Sequence, residues 1–323
     1  MVLGLVLALL NPAPATIRVH APQAEEVKIA GDAWGWEGQP MTEAPGGWWT
    51  TRFQAEPDAR IEYKFIVDGV WQLDPRAPRT PNGLGGENSV WSGPAYRATA
   101  PTDERALLQW GVSRTELVSA KGYRYKVVIA RPAGVKADSP VMIYHDGAGY
   151  ENYVRALAQA ANLVAQGQVR KFVLVLVESS DRTRDYWNDP KSYVEFVMNR
   201  LLPYVRQQTG VVARPADTGT GGASLGGVIS LRLASETKAF GMAHVQSPAL
   251  WVSPSLLTTS TYSGVTLKVA LCSGIYERID MVALRNALPP GSVRHDVTRP
   301  EGHTWSLWRE TFAPGLVSLL GGP

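Results

Sequence analysis

The chain has a single cysteine, Cys272. That excludes an internal disulfide framework and a cysteine-built zinc site. Cys272 closes the apolar run Val269-Ala270-Leu271-Cys272, which reads as a buried strand carrying an inert thiol. Charge of one sign is also scarce: 32 Lys+Arg against 29 Asp+Glu leave a net charge of +3 over 323 residues. There is no basic run and no basic-aromatic stripe, so nothing marks a nucleic-acid partner. No apolar stretch reaches the length of a membrane-spanning helix. The nearest, Val2–Leu10, is followed by Ala13-x-Ala15, the spacing of a signal-peptide cleavage site, although no Lys or Arg precedes it. The expectation is export with residues 1–15 removed; the alternative is a cytoplasmic chain in which this run forms an extra strand. Hydrophobic residues at 45% and charged residues at 19% exclude global disorder.

What is present divides in two. Residues 16–97 read as short strands between turns. Val27-Lys28-Ile29-Ala30 alternates into Gly31-Asp32, and Glu62–Val67 runs through Asp68-Gly69 into Val70–Leu73. An Asp-Gly pair between two such runs is a strong hairpin signal, and the turn spacing predicts a β-sandwich. Six of the eleven tryptophans fall here: Trp34, Trp36, Trp48, Trp49, Trp71 and Trp91. They serve either as core and interface packing or as a platform for sugar rings. Residues 98–112 are of mixed character and are read as a linker. From 113 to 323, apolar runs alternate with helical periodicity. Tyr125–Ala130, Pro140–Tyr144, Phe172–Val177, Thr218–Gly222, Met242–Val245 and Thr266–Leu271 predict strands; Tyr150–Gln166, Pro190–Gln208 and Leu225–Ala234 predict helices. That order predicts an α/β domain with a mostly parallel sheet.

The chemistry centres on Gly222-Ala223-Ser224-Leu225-Gly226-Gly227. A nucleophile on a tight strand-to-helix turn needs residues without bulk two positions to either side, which is the G-x-S-x-G pattern. A serine nucleophile needs a base and a group to orient that base. Of five histidines, only His244, His295 and His303 follow Ser224. His244 and His295 lie in strand-like runs, whereas His303 lies in a loop before the last helix. The candidate base is therefore His303. The candidate acid is Glu277, the first carboxylate beyond the strand ending near Leu271, with Asp280 as the fallback. Oxyanion donors are expected from the backbone of Leu225 and from the His145-Asp146-Gly147-Ala148-Gly149 loop, with Gly147 the best placed.

Several segments carry a resemblance. Val27–Asp32, Gly47-Trp48-Trp49 and Tyr63–Gly69 with Asp74-Pro75 resemble the early-set immunoglobulin-like domain of glycogen-branching enzymes and enterochelin esterases. His145-Asp146-Gly147, Arg182-x-x-Asp185-Tyr186, Leu201-Leu202-Pro203-Tyr204-Val205, the elbow, Gln246-Ser247-Pro248 with Trp251, Gly274-Ile275-Tyr276-Glu277, and Gly302-His303-Thr304-Trp305 with Trp308 follow in order. Together they resemble the esterase D group of α/β-hydrolases, and within it the enterochelin (ferric-enterobactin) esterases. Two positions depart from that pattern: Asp185 replaces a glutamate, and Arg200 stands where an acidic residue is usual. The resemblance implies a serine esterase needing no metal or organic cofactor, with Arg182, Asp185, Tyr186 and Trp251 on the substrate side. It implies an ester-linked, iron-bound siderophore as substrate. The alternatives are an acetyl or feruloyl esterase on acylated polysaccharide, with Trp34, Trp36 and Trp71 facing the sugar chain, and a non-catalytic glycan-binding protein.

Overall fold

The computed structural model describes residues 12–99 and 102–321. Val2–Leu10, the expected signal core, lies outside the described residues. Contacts divide the chain into two compact units. The first holds the residues through Thr99 together with Gly274–Glu277 and Arg299–Thr304; the second holds the remainder.

The first unit is all β. Its strands are β1 (Ala13–His20), β2 (Val27–Gly31), β3 (Gly35–Pro40), β4 (Thr42–Ala44), β5 (Trp48–Ala55), β6 (Arg60–Val67), β7 (Val70–Gln72), β8 (Arg79–Pro81) and β9 (Glu87–Ser92). They form one sheet in the order β1-β5-β4 and another in the order β3-β2-β6-β9-β8, with β7 beside β6. The expected hairpin is there: Val67 pairs with Val70 across Asp68 and Gly69. Both turn residues have positive φ, 47° and 81°, as a two-residue hairpin with right-handed strand twist requires. Alternation sends Val27, Ile29, Ile61, Tyr63 and Phe65 into the core. The tryptophans split between the two roles open to them. Trp34 and Trp49 are buried, Trp34 edge-on to Phe53 at 4.9 Å, while Trp36 and Trp71 are exposed. Trp34 is therefore core, not a surface for sugar. Ala13, Pro14 and Ala15 pair with Ala55, Gln54 and Phe53, so the segment read as a cleavage site is the start of β1.

The second unit carries an eight-stranded sheet in the order β10-β11-β13-β12-β14-β15-β16-β17. Its strands are β10 (Trp110–Val118), β11 (Arg124–Pro132), β12 (Val141–His145), β13 (Val173–Ser179), β14 (Thr218–Ala223), β15 (Met242–Gln246), β16 (Lys268–Gly274) and β17 (Val293–Arg299). Pairing is antiparallel through β10, β11 and β13 and parallel across β13-β12-β14-β15-β16. Helices flank it: α1 (Ala156–Ala165), α2 (Pro190–Phe196), α3 (Leu202–Thr209), α4 (Leu225–Glu236), α5 (Met281–Ala287) and α6 (Trp305–Leu320). Val173, Val175 and Val177 enter one apolar cluster, and Leu174 and Leu176 enter another. Successive side chains point to opposite faces, and both faces are covered, so the run needs no polar alternation.

Two local expectations change. β10 overlaps the stretch read as linker; it is an edge strand whose residues are mostly exposed or partly exposed, so its apolar signal is weak. The helix expected over 190–208 passes through a π-helical turn at Val197–Leu201. Pro203 follows, with no N–H to give the preceding turn.

Two histidines in the core carry a testable consequence. His145 is buried between Tyr193 Oη (2.9 Å) and Thr220 Oγ1 (2.8 Å), and His244 is buried against Tyr144 Oη at 2.7 Å. Burial lowers each imidazole from 6.5 to about 3, with His295 adding to the effect at His244. Both are neutral in the fold and protonated in the unfolded chain below their ordinary pKa. The unfolded state then binds more protons, so stability falls as pH drops below about 6.5 and rises again toward neutrality. The slope approaches about 2.7 kcal/mol per pH unit if both contribute fully. Urea midpoints at pH 7.5 and pH 5 check this: the pH 5 midpoint should be clearly lower, and equal midpoints would refute it.

Candidate active site

The parallel strands deliver their carboxyl ends to one edge of the sheet, where loops of an open α/β sheet gather functional groups. β14 is small throughout, Thr218-Gly219-Thr220-Gly221-Gly222-Ala223, and is fully buried. It ends at Ser224, whose φ of 57° and ψ of −121° lie in a region that L-residues seldom occupy. α4 starts at the next residue. The turn is tied down by Ser224 N–H donating to Gln246 O (2.9 Å) and by Ala249 N–H donating to Ser224 O (3.1 Å). The flanking glycines are a steric necessity: a Cβ on Gly222 would lie 2.5 Å from the Gly226 carbonyl oxygen. Gly222→Ala should therefore prevent the turn from closing. Its thermal midpoint should fall far more than that of an alanine at exposed Gly111, whose φ is not positive and where a Cβ comes no nearer than 4.0 Å to the Arg131 carbonyl oxygen.

Leu225 is the first residue of α4, so its N–H lacks an intrahelical acceptor and is available to a developing oxyanion. The second expected donor, Gly147, follows β12 in a tight loop. Asp146 before it is left-handed (φ 59°, ψ 51°), and a Cβ on Gly147 would press on the Val177 backbone at 2.8 Å. Ala148 N–H is taken by Glu178 Oε2 at 2.8 Å, which leaves Gly147 as the donor candidate in this loop.

Arg182 reaches this loop. Its Nε and Nη2 donate to the two Asp146 oxygens at 3.0 and 2.9 Å. Burial raises the Asp146 carboxyl, and the Arg182 charge works against that rise. Asp146 Oδ2 also lies where a Cβ on Gly226 would come within 3.0 Å. The pair thus braces the donor loop against the first turn of α4. In the sequence Asp146 stands within the His145–Gly149 loop and the His145-Asp146-Gly147 segment without a role of its own. The signal that could have singled it out is a carboxylate between a strand and a glycine.

Asp185 and Tyr186, expected on the substrate side, are fully buried instead. Asp185 accepts from Ser179 Oγ and from Arg184 Nε, and Tyr186 Oη accepts the Asp146 N–H at 3.3 Å. Tyr186 lies beneath Arg182, whose guanidinium carbon is 6.0 Å from its ring centroid. Trp251 does face solvent, 70% exposed, and meets Trp187, 42% exposed, edge to face at 5.0 Å. Trp187 carries no signal of its own in the sequence, since a lone tryptophan in Asp185-Tyr186-Trp187 has the look of packing.

In the first unit, Glu277 and His303 are paired. His303 Nδ1 lies 2.9 Å from Glu277 Oε1, and Glu277 Oε2 accepts Gly274 N–H at 2.6 Å. The carboxylate is buried and the imidazole is partly exposed. Asp280 has a different role: its Oδ1 accepts Ala283 N–H at 2.9 Å and caps α5. No group of three or more His, Cys, Asp or Glu side chains arranged to hold a metal ion occurs among the described residues.

Comparison with known proteins adds family and fold. Residues 119–319 match the family model described as "Putative esterase", and residues 13–92 match one described as "Glycogen recognition site of AMP-activated protein kinase". No curated protein sequence matches the chain. A ferric enterobactin esterase from Salmonella typhimurium superposes with a TM-score of 0.76 at 19% identity, covering 95% of this chain and 93% of that one. The enterobactin esterase from Shigella flexneri, solved in the presence of enterobactin, gives 0.74 at 20% identity, with 96% and 93% covered. A ferulic acid esterase gives 0.55 at 16% identity over 66% of this chain and 98% of its own.

Proposed function

We propose, from the premise that the chain belongs to this esterase family and is a carboxylic ester hydrolase, that Ser224, His303 and Glu277 form its triad. The observation that carries the reading is the strained Ser224 turn between β14 and α4. Ser224 Oγ attacks the ester carbonyl while His303 takes its proton. The tetrahedral oxyanion is held by Leu225 N–H and Gly147 N–H. His303 returns the proton to the leaving alcohol, and the acyl group stays on Ser224. Water, activated by the same imidazole, then attacks the acyl-enzyme and releases the acid. Glu277 fixes the imidazole tautomer and stabilises the imidazolium.

For substrate, the reading is an ester of a siderophore with aromatic, iron-binding arms. Trp187 and Trp251 offer a pair of exposed aromatic faces. Trp251 follows the loop whose Ala249 N–H bonds the nucleophile's carbonyl. A ligand with aromatic arms fits that chemistry. A second reading, esterase action on acylated polysaccharide, is favoured by exposed Trp36 and Trp71 on the sandwich. A panel of ferric enterobactin, acetylated xylan, methyl ferulate and an aryl acetate, with Ser224→Ala as the control, separates the two. Trp251→Ala should raise KM about tenfold for the aromatic siderophore ester and leave the aryl acetate nearly unchanged. Turnover confined to acetylated xylan would transfer the assignment to the second reading. Export is part of the proposal too. Mass spectrometry of the protein from its native host should find a chain beginning at Thr16, and a chain retaining Met1 would refute it.

A further inference from the structure

Two loops carry the acid and the base, and in each the preceding residue is held by a carboxyl side chain of the sandwich. Before Glu277 stands Tyr276, whose Oη donates to Glu56 Oε2 at 2.8 Å. Burial, then the hydrogen bond to Glu56, raises this phenol, so it remains a donor throughout the neutral range. Before His303 stands Gly302, whose Cα lies against the Asp32 carboxyl. A Cβ there would overlap the Asp32 side chain.

Asp32 is itself fixed. Its N–H donates to Glu62 O at 3.0 Å, and its Oδ2 accepts Glu62 N–H at 2.8 Å. A residue bonded twice to one strand, through its backbone N–H and through its carboxyl, is a rigid stop. Burial, followed by Glu62 and with Glu277 contributing, pushes the Asp32 carboxyl well above its ordinary range; Glu62 N–H and Arg60 oppose this. The same strand reaches the loop again through Arg60 N–H, which donates to Pro300 O at 3.0 Å. Beneath lies a buried charge network. Arg60 Nη1 donates to Glu62 Oε1 at 2.8 Å, and Arg299 Nε pairs with the buried Glu301 at 3.1 Å. Burial works against the Arg60 charge, while Glu62 and then Glu301 sustain it. Paired buried charges tolerate little displacement, because separating them leaves an uncompensated ion. The two loops are also bonded to each other by Ile275 N–H to Arg299 O at 2.8 Å.

We propose that Glu56 and Asp32 are positioning residues for the acid–base pair, so that the sandwich keeps Glu277 and His303 in register. This rests on the reading of Glu277 and His303 as triad members, and the test separates the two. The full-length protein is labelled with ¹⁵N in its five histidines, and the ring Nδ1 of His303 is identified by its loss in His303→Ala. Glu56→Ala and Asp32→Ala should shift that Nδ1 signal. They should also lower kcat on an aryl acetate about tenfold to a hundredfold, with KM little changed, the penalty expected of a misplaced catalytic group. Glu56→Gln retains an acceptor for Tyr276, and Asp32→Asn retains one for Glu62 N–H; both should restore signal and rate together. Tyr276→Phe should mimic Glu56→Ala, which covers the case of an alanine variant that fails to fold. An unshifted His303 signal in folded alanine variants overturns the proposal, whatever their rate. A shifted signal with unchanged kcat upholds the positioning role and overturns His303 as the base.

Discussion

Ser224→Ala is expected to abolish ester hydrolysis while leaving the fold intact. Removing the nucleophile of a serine triad typically costs 10⁴-fold or more in kcat, about as much as removing the whole triad. The structural side can be argued separately. Ser224 sits at φ 57°, and alanine inherits the same strain, so its thermal midpoint should match that of wild type. Glycine would not inherit it. Strain of this kind costs about 1–3 kcal/mol, against about 0.5–1 kcal/mol of extra chain entropy for glycine. Ser224→Gly should therefore be inactive and at least as stable as wild type. Both variants are read by aryl acetate turnover and thermal unfolding. Near-wild-type turnover in Ser224→Ala would dismiss Ser224 as nucleophile, and a marked loss of stability in Ser224→Gly would show that the turn is not strained.

The sequence discloses this turn because its signal is steric and local. Glycines at 222 and 226 are demanded by backbone atoms a few residues away, so the pattern and its cause lie in one segment. The same holds for the Asp68-Gly69 hairpin and for the two-sided burial of Val173–Val177. What stays hidden depends on distant partners. Asp185 and Tyr186 are expected on the substrate side because the Arg182-x-x-Asp185-Tyr186 segment resembles that of the family, yet a π-helical turn at Arg184–Asn188 folds both inward. β10 is hidden because an exposed edge strand has no apolar period to display. The grouping of Gly274–Glu277 and Arg299–Thr304 with the sandwich could not be read at all. It arises from contacts to Asp32, Glu56 and Arg60, more than two hundred residues earlier; Glu56 and Arg60 belong to no recognisable motif, and the segment holding Asp32 signals a strand and its turn, not a partner.

Glu277→Gln is expected to lower kcat far more than Asp280→Asn. The carboxylate of Glu277 has both oxygens engaged, one by Gly274 N–H and one by His303 Nδ1. An amide at that position can present either its oxygen or its NH₂ group to the ring. The Gly274 N–H demands the oxygen, which turns the NH₂ toward Nδ1 and drives the imidazole into the tautomer with its proton on Nε2. That nitrogen must be the acceptor for the serine proton, so the wrong tautomer stops the reaction with the geometry preserved. Losses of up to about 10⁴-fold are typical of such an exchange. Asp280 instead accepts Ala283 N–H at the start of α5. Asparagine caps a helix nearly as well as aspartate, so Asp280→Asn should change neither rate nor stability appreciably. Asp280→Ala should cost about 0.5–2 kcal/mol of stability and little rate. The pair is checked by steady-state kinetics on one aryl acetate together with thermal unfolding. A small loss in Glu277→Gln would indicate that Ser224 and His303 work without an orienting acid, and a large loss confined to Asp280→Asn would move the acid to the helix cap.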